Sequence, residues 1–234
     1  MLAKQLNEWQ SYPSEIRLIV VDDGSPEPAL PIVAQRADRS MRERLEVYRV
    51  QVDIPWNRGG ARNLGARMAR TEWIMHVDID HILPATCAAT MLKHWPPKHD
   101  QWYRFRRFRV GRADETRRKD AIADDVEFGE VKPHGDSYLC RRNLYWIIGG
   151  YDEDYSGCLG GGSPFLQQLE RAAPVAMFRD DVHLLVHTRS VVIDASDWSL
   201  NRDTSEYSRR RKQKERNGNT AARNPLRFEW SRVL

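Results

Sequence analysis

Ile16-Arg17-Leu18-Ile19-Val20-Val21-Asp22-Asp23-Gly24-Ser25 is the stretch on which the fold turns. Its first six residues form a short, β-branched and almost unbroken apolar run, the pattern of a strand buried on both faces in a parallel sheet. An acidic pair and Gly-Ser end it, and Asp-Gly-Ser is also good turn chemistry. Outward from there, Leu45 to Val52 reads as a second strand, and Ala61, Leu64, Gly65 and Met68 recur at the spacing of an amphipathic helix. Trp73 to Val77 is a third strand, ending on Asp78-Ile79-Asp80. Pro84 to Trp95 reads as a helix with proline in its first turn, where the missing amide costs nothing, and Pro96-Pro97 stops it. Such alternation predicts an α/β domain, a mainly parallel sheet flanked by helices that binds ligands outside the carboxyl ends of its strands. Both acidic clusters stand at such ends.

The second half is less regular. Gln101 to Val110 reads as a strand rich in arginine, Arg112 to Lys132 as a charged loop, and Ser137 to Ile148 as a strand followed by a helix. Gly149 to Ser163 holds six glycines among acids and aromatics, a composition suited to a loop that approaches a ligand closely. A helix from Pro164 to about Arg171 and strands near Val175 and Leu184 follow. From Trp198 the chain turns polar and basic, with Arg209-Arg210-Arg211-Lys212 as its densest charge run, so we expect a domain over 1–197 and a partly ordered basic extension over 198–234.

The 234 residues suffice for one substantial core, with 41% apolar and 30% charged residues. No apolar run approaches the ~18 residues of a membrane span, and Met1 to Trp9 lacks the apolar stretch of a secretory signal, so the expected location is the cytoplasm. Three widely separated cysteines, Cys87, Cys140 and Cys158, suit neither a disulfide framework nor a zinc knuckle. A net charge of +4 and a pI near 9.0 favour a phosphate-bearing partner without choosing among nucleotide, anionic glycan and nucleic acid.

Two carboxylates one residue apart on extended chain, as in Asp78-Ile79-Asp80, point the same way and can share one hard cation, Mn2+ or Mg2+. Such a cation would neutralise charge on a departing diphosphate. At Asp22-Asp23 a carboxylate can accept from a uracil imide or ribose hydroxyls, unless it only closes the turn. Between the clusters, Asn57-Arg58-Gly59-Gly60-Ala61-Arg62-Asn63 opens a helix whose amides and arginines suit a diphosphate.

Taken in order, Val-Val-Asp-Asp-Gly-Ser, Asn-Arg-Gly-Gly-Ala-Arg-Asn-Leu-Gly-Ala, Val-Asp-Ile-Asp and Gly-Gly-Tyr-Asp-Glu resemble the landmarks of family 2 glycosyltransferases, over roughly Ile16 to Leu169. The resemblance implies a GT-A fold and a nucleotide-diphosphate sugar donor. It implies a donor site built from Asp22, Asp23, Ser25, Asn57, Arg58, Arg62 and Asp78, and a metal held by Asp78 and chiefly Asp80. In related enzymes a late histidine completes the metal site; His187 is the candidate, with a core or surface histidine as the alternative.

Two departures stand out. Family members open with an apolar strand ending near Pro-x-Tyr-Asn, and this sequence begins after that point, so either the start lies upstream or another segment fills the edge. The family also places an acid, the base of inverting transfer, in a Gly-Gly-Glu-Asp-like motif where this chain has Gly160-Gly161-Gly162-Ser163-Pro164. Asp152, Glu153 and Asp154 are the nearest substitutes, Asp152 first, with loop capping as its alternative role. The acceptor is a glycan, or a hydroxymethylated nucleic-acid base if the arginines and aromatics of 103–109 and the 209–212 run grip a phosphate backbone. Two other readings compete: a transferase fold that binds nucleotide sugar without turnover, and a haloacid-dehalogenase-type phosphatase using Asp78-Ile79-Asp80 with Asp180-Asp181. In the second, Ile82 stands where Thr or Val belongs.

Overall fold

Leu18–Asp22 forms a strand, β1, in a computed structural model that describes residues 1–52, 54, 56–110, 127–158, 162–187, 204–218 and 226–234. β1 pairs in parallel with β2 (Leu45–Val50), placing Leu18 opposite Leu45 and Asp22 opposite Arg49. Helices α1 (Leu2–Gln10), α2 (Ala29–Arg36) and α3 (Arg39–Arg42) pack together beside this pair, with Leu6, Val33 and Met41 fully buried. The expected amphipathic helix is α4 (Arg58–Met68), which buries Leu64 against Tyr48 and Val50. Burial of that one side chain contributes about 2 kcal/mol.

The remaining strands form two four-stranded sheets. One runs β3 (Trp73–His76), β8 (Tyr138–Arg141), β5 (Trp102–Arg104), β9 (Val175–Met177). The other runs β4 (His81–Ile82), β10 (His183–His187), β6 (Arg106–Val110), β7 (Glu127–Val131). Helices α5 (Ala85–Lys93), α6 (Arg142–Ile147) and α7 (Ser163–Ala172) complete the α/β arrangement. The expected single, mainly parallel sheet is thus divided, and among the described residues five of the eight ladders are antiparallel. No described strand pairs with the second edge of β1.

Gln101 to Val110, expected as one strand, is split at Phe105, which is buried and stacks on Phe178 with centroids 5.7 Å apart. The break at that anchor passes the chain from one sheet into the other. The charged loop expected at 112–132 yields a strand, β7, at its end; its earlier part lies outside the described residues.

Residues 204–218 and 226–234 of the expected basic extension are built into the molecule. Helix α8 (Ser205–Arg216) lies on the loop around Glu153, and β11 (Trp230–Arg232) pairs antiparallel with β2. Leu226, Phe228 and Trp230 pack on the cluster of Tyr48, Val50 and Leu64, and Trp230 meets Tyr48 edge-on at 5.8 Å. Apolar contact at every second residue explains why this segment joins the sheet.

Candidate functional site

Asp22 closes the turn after β1. Its carboxylate accepts from the amides of Ser25 and Ala29, each at 2.9 Å, and from Arg49 Nη1 at 2.6 Å. Burial alone would raise its pKa, but the two amides and Arg49 outweigh that and hold it below the usual carboxylate range. Of the two roles open to the pair, Asp22 therefore takes the turn. Ser25 is exposed, and its carbonyl accepts from Arg49 at 2.9 Å. Asp23 turns the other way and accepts from Asn57 Nδ2 at 2.9 Å, so it joins the entrance of α4.

Chain entry into α4 is tightly specified. Trp56 adopts φ 54°, a left-handed conformation uncommon for a bulky residue, and Arg58 lies 5.3 Å over its ring. Asn57 is buried at the N-cap and accepts from Ser156 Oγ at 3.0 Å. From the first two turns of α4, Arg58 and Arg62 converge on Asp136, at 3.0 and 3.2 Å, and Arg62 also donates to Asp78. Arg62 is nearly enclosed and lies 5.4 Å over Tyr151. Desolvation works against its charge, yet the carboxylates of Asp78 and Asp136 raise its pKa further above the ordinary arginine value. For Asp136 the balance is the mirror image: burial raises the pKa, and Arg62 and Arg58 bring it below normal. Asp136 sits in an ordinary polar turn before β8, and no sequence pattern marked it.

The acidic triplet is not extended. After β3 ends at His76, residues 78–81 turn, with His81 N donating to Asp78 O at 2.9 Å, so the geometry that would align both carboxylates on a strand is absent. One face of α1 holds this turn and its continuation: Gln5 Nε2 donates to the carbonyls of Ile79 (3.3 Å) and His81 (2.7 Å), Tyr12 OH donates to Leu83 O, and Glu8 accepts from Ala85 N. Asp78, His81 and His134 come together, with one ligating atom of each within 4.8 Å of the others. His134 Nδ1 lies 3.5 Å from Asp78 Oδ2. Arg107 donates to His81 Nε2 at 3.0 Å, which leaves Nδ1–H to donate to Ser137 Oγ at 2.6 Å. Burial, and Arg107 beside it, push His81 down to about 4, so its ring is neutral. Asp80 and His187 meet through their backbones, His187 N donating to Asp80 O at 3.0 Å, while Lys4 Nζ lies 3.2 Å from His187 Nδ1. His187 is thus buried beside an ammonium group, outside the Asp78 cluster.

The carboxylate of Asp78 and the imidazole of His134 suit a first-row divalent cation, and His81 could join them only by giving up Arg107 or Ser137. Arg58, Arg62 and Arg107 stand around the same point, so the residues fit a cation that shares the site with a polyanion better than a lone ion.

The loop acids are drawn toward the end of the chain. Asp152 lines a narrow cleft with Arg58, Gly59, Arg62, Tyr151 and Ser156. Yet one of its oxygens accepts from Asp154 N at 3.1 Å and the other lies 2.7 Å from Lys214 Nζ of α8. Glu153 is turned inward: it accepts from Asn63 Nδ2 (2.8 Å) and from the amides of Leu226 (2.6 Å) and Arg227 (3.1 Å). Asp154 pairs with Lys214 and Arg227. The glycine-rich loop brings the cleft residues Tyr151, Asp152 and Gly162 near α4; residues 159–161 lie outside the described residues.

Most of the arginines offered for nucleic acid are occupied. Arg104 pairs with Glu170, Arg106 with Glu130, and Arg107 donates to Lys132 O, while Tyr103 and Phe105 are buried. In α8, Arg209 and Arg210 share Glu206, and Arg211 takes Glu215. Asp181 pairs with Arg179 at 2.7 Å on an exposed turn. Among the described residues no helix is long and apolar enough to cross a membrane.

Comparison with curated proteins finds no match. Among solved structures, 79% of this chain matches S. aureus TarS 1–349 with a TM-score of 0.52 at 16% identity. The same protein in complex with UDP matches 80% of the chain with a TM-score of 0.51, also at 16% identity. In each case the chain spans 56% of the matched protein's length, and at this identity the likeness is one of fold. The family model described as glycosyl transferase family 2 matches residues 2–158, more than half of the 234, and the chain belongs to that family.

Proposed function

We propose that this protein transfers a sugar from a nucleotide-diphosphate donor to an acceptor hydroxyl, with a divalent cation held beside Asp78. One observation carries the reading: the first two turns of α4 deliver Arg58 and Arg62 to the end of β3, where Asp78, His134 and Asp136 also converge. Two guanidiniums can grip a diphosphate from one side while a cation neutralises it from the other. Asp23, joined to Asn57, faces the same entrance and is the candidate for the nucleoside. Bound there, the cation would supply charge neutralisation at the departing diphosphate, held by Asp78 with His134 or with Asp80. Asp152 lines the cleft and is the candidate base for inverting transfer.

A glycan acceptor is favoured over DNA, because Arg104, Arg106 and Arg107 are spent on internal partners and the aromatic rings at 103 and 105 are buried. The test is a screen of labelled nucleotide sugars against glycans, unmodified DNA and hydroxymethylpyrimidine DNA. Donor hydrolysis or transfer that needs Mn2+ or Mg2+ supports the reading. Failure of every nucleotide diphosphate to bind overturns it.

A second reading, a protein that binds nucleotide sugar without turnover, is favoured by the engagement of both Asp152 oxygens with Asp154 and Lys214. Titration with UDP alongside a turnover assay on the same sample separates the two.

A further inference from the structure

We infer that Glu153 is a positioning residue through which the end of the chain, residues 226–234, sets the placement of α4 and so of the two arginines that would hold the diphosphate. The inference rests on the donor-site reading above.

Glu153 was a candidate base, but its carboxylate does not line the cleft and is turned to other partners. It accepts from Asn63 Nδ2, Leu226 N and Arg227 N, and its side chain is 4% exposed. Asn63 follows Arg62 in α4 and is itself saturated: Oδ1 accepts from Tyr145 OH (2.6 Å) and Tyr151 N (2.9 Å), and Nδ2 also donates to Tyr151 O (2.9 Å). A buried amide and a buried carboxylate therefore tie one side of α4 both to the Gly150–Glu153 loop and to two backbone amides at positions 226 and 227. Gly150 sits at φ +67°, and a Cβ there would stand 2.7 Å from Asn63 Oδ1, so the loop closes on Asn63 only because that residue is glycine.

The same terminal segment touches α4 a second time. A Cβ added to Gly60 would lie 2.6 Å from Phe228 and would also collide with the Asn57 side chain. Phe228 thus rests directly on the first turn of α4, between Arg58 and Arg62 in sequence, while β11 anchors it to β2. None of Leu226, Arg227 or Phe228 lines the cleft. These residues lie beyond 158, where the family match ends. Three donors converging on one buried carboxylate are costly to leave unmade, which makes the node a rigid link.

The experiment uses the full chain, Glu153→Gln and Phe228→Leu, with Val33→Ala as a control that loosens the core beneath α2. Gln keeps the volume of Glu but turns an NH2 toward one of the incoming donors. UDP with Mn2+ is titrated calorimetrically, unfolding is followed thermally, and amide exchange is read over 58–66 and 226–232. Glu153→Gln should weaken UDP binding roughly tenfold, about 1.4 kcal/mol, and speed exchange in both segments together. Phe228→Leu should act in the same direction but less, and Val33→Ala should lower the melting temperature without changing UDP affinity. If wild type binds UDP and both variants bind it equally well, or if exchange rises in one segment only, the inference fails. If wild type binds no nucleotide diphosphate, the donor reading fails instead, and the exchange result still decides whether the two segments are linked.

Discussion

Lys214 Nζ lies 2.7 Å from Asp152 Oδ2, so helix α8 answers the loop acid offered first as a substitute for the family's carboxylate. Burial would lower the pKa of Lys214, but Asp152 and Asp154 outweigh it and raise it above the usual lysine value. Replacing Lys214 by Met leaves the buried Asp152 carboxylate without its cation and should cost about 2 kcal/mol, a fall in melting temperature of roughly 4–8 °C. Adding Asp152→Asn to that variant should restore part of the loss. Strictly additive effects in the double-mutant cycle would show that the pair contributes nothing.

Turnover tests the same carboxylate differently. As the proton acceptor, Asp152 is expected to show on the order of a 100-fold loss of transfer when changed to Asn, with UDP affinity unchanged. An undiminished rate in the amide variant removes it from the mechanism, and the base is then supplied by the acceptor or by another side chain.

The cation can be located by comparing ligands. Asp78→Asn, Asp80→Asn and His134→Ala should each reduce the Mn2+-dependent part of UDP affinity at least tenfold by loss of an inner ligand or of the turn that shapes the site. His187→Ala should leave it intact, because His187 is buried against Lys4. Calorimetric titration of UDP with and without Mn2+ reads the outcome, and loss in His187→Ala alone would move the cation to the other end of the turn.

Asp22 gives a pH dependence. Its folded pKa is depressed, so the stability it confers is complete above the ordinary carboxylate value near ~4 and is lost as pH falls through the lower folded value. Asp22→Asn should therefore lower stability at neutral pH and flatten its decline below about pH 4. Denaturant unfolding at pH 7 and pH 3 checks this; parallel curves for wild type and variant would contradict it.

The first half of the chain was legible because its signals are local. The apolar run before Asp22, the stripe of Leu64 and Met68, and the prolines around α5 each specify an element within about ten residues. Partners were not legible. Nothing near Asp22 announces Arg49 or Ala29, and nothing near Glu153 announces the amides of Leu226 and Arg227, since these bonds depend on strand register and chain return. Within α8, Arg209 and Arg211 pair with acids of their own helix, whereas Arg210 also donates to the carbonyls of Asp154 and Ser156, and Lys214 found its acids about sixty positions away. Leu226, Phe228 and Trp230 fall at every second residue, but only Trp230 lies in the strand, and Leu226 adopts φ 64°.

Gly60 carries a consequence for evolution within the family. Any side chain at position 60 must displace both Asn57 and Phe228, and Asn57 in turn holds Asp23 and Ser156. Position 60 is therefore free to accept alanine only in lineages where position 57 has changed and position 228 has shrunk or the terminal strand has been lost. Among homologues that retain the strand, glycine at 60 should be inherited with asparagine at 57 and a large apolar residue at 228, and relatives that end soon after the family-matched region should vary at 60 only where 57 varies too.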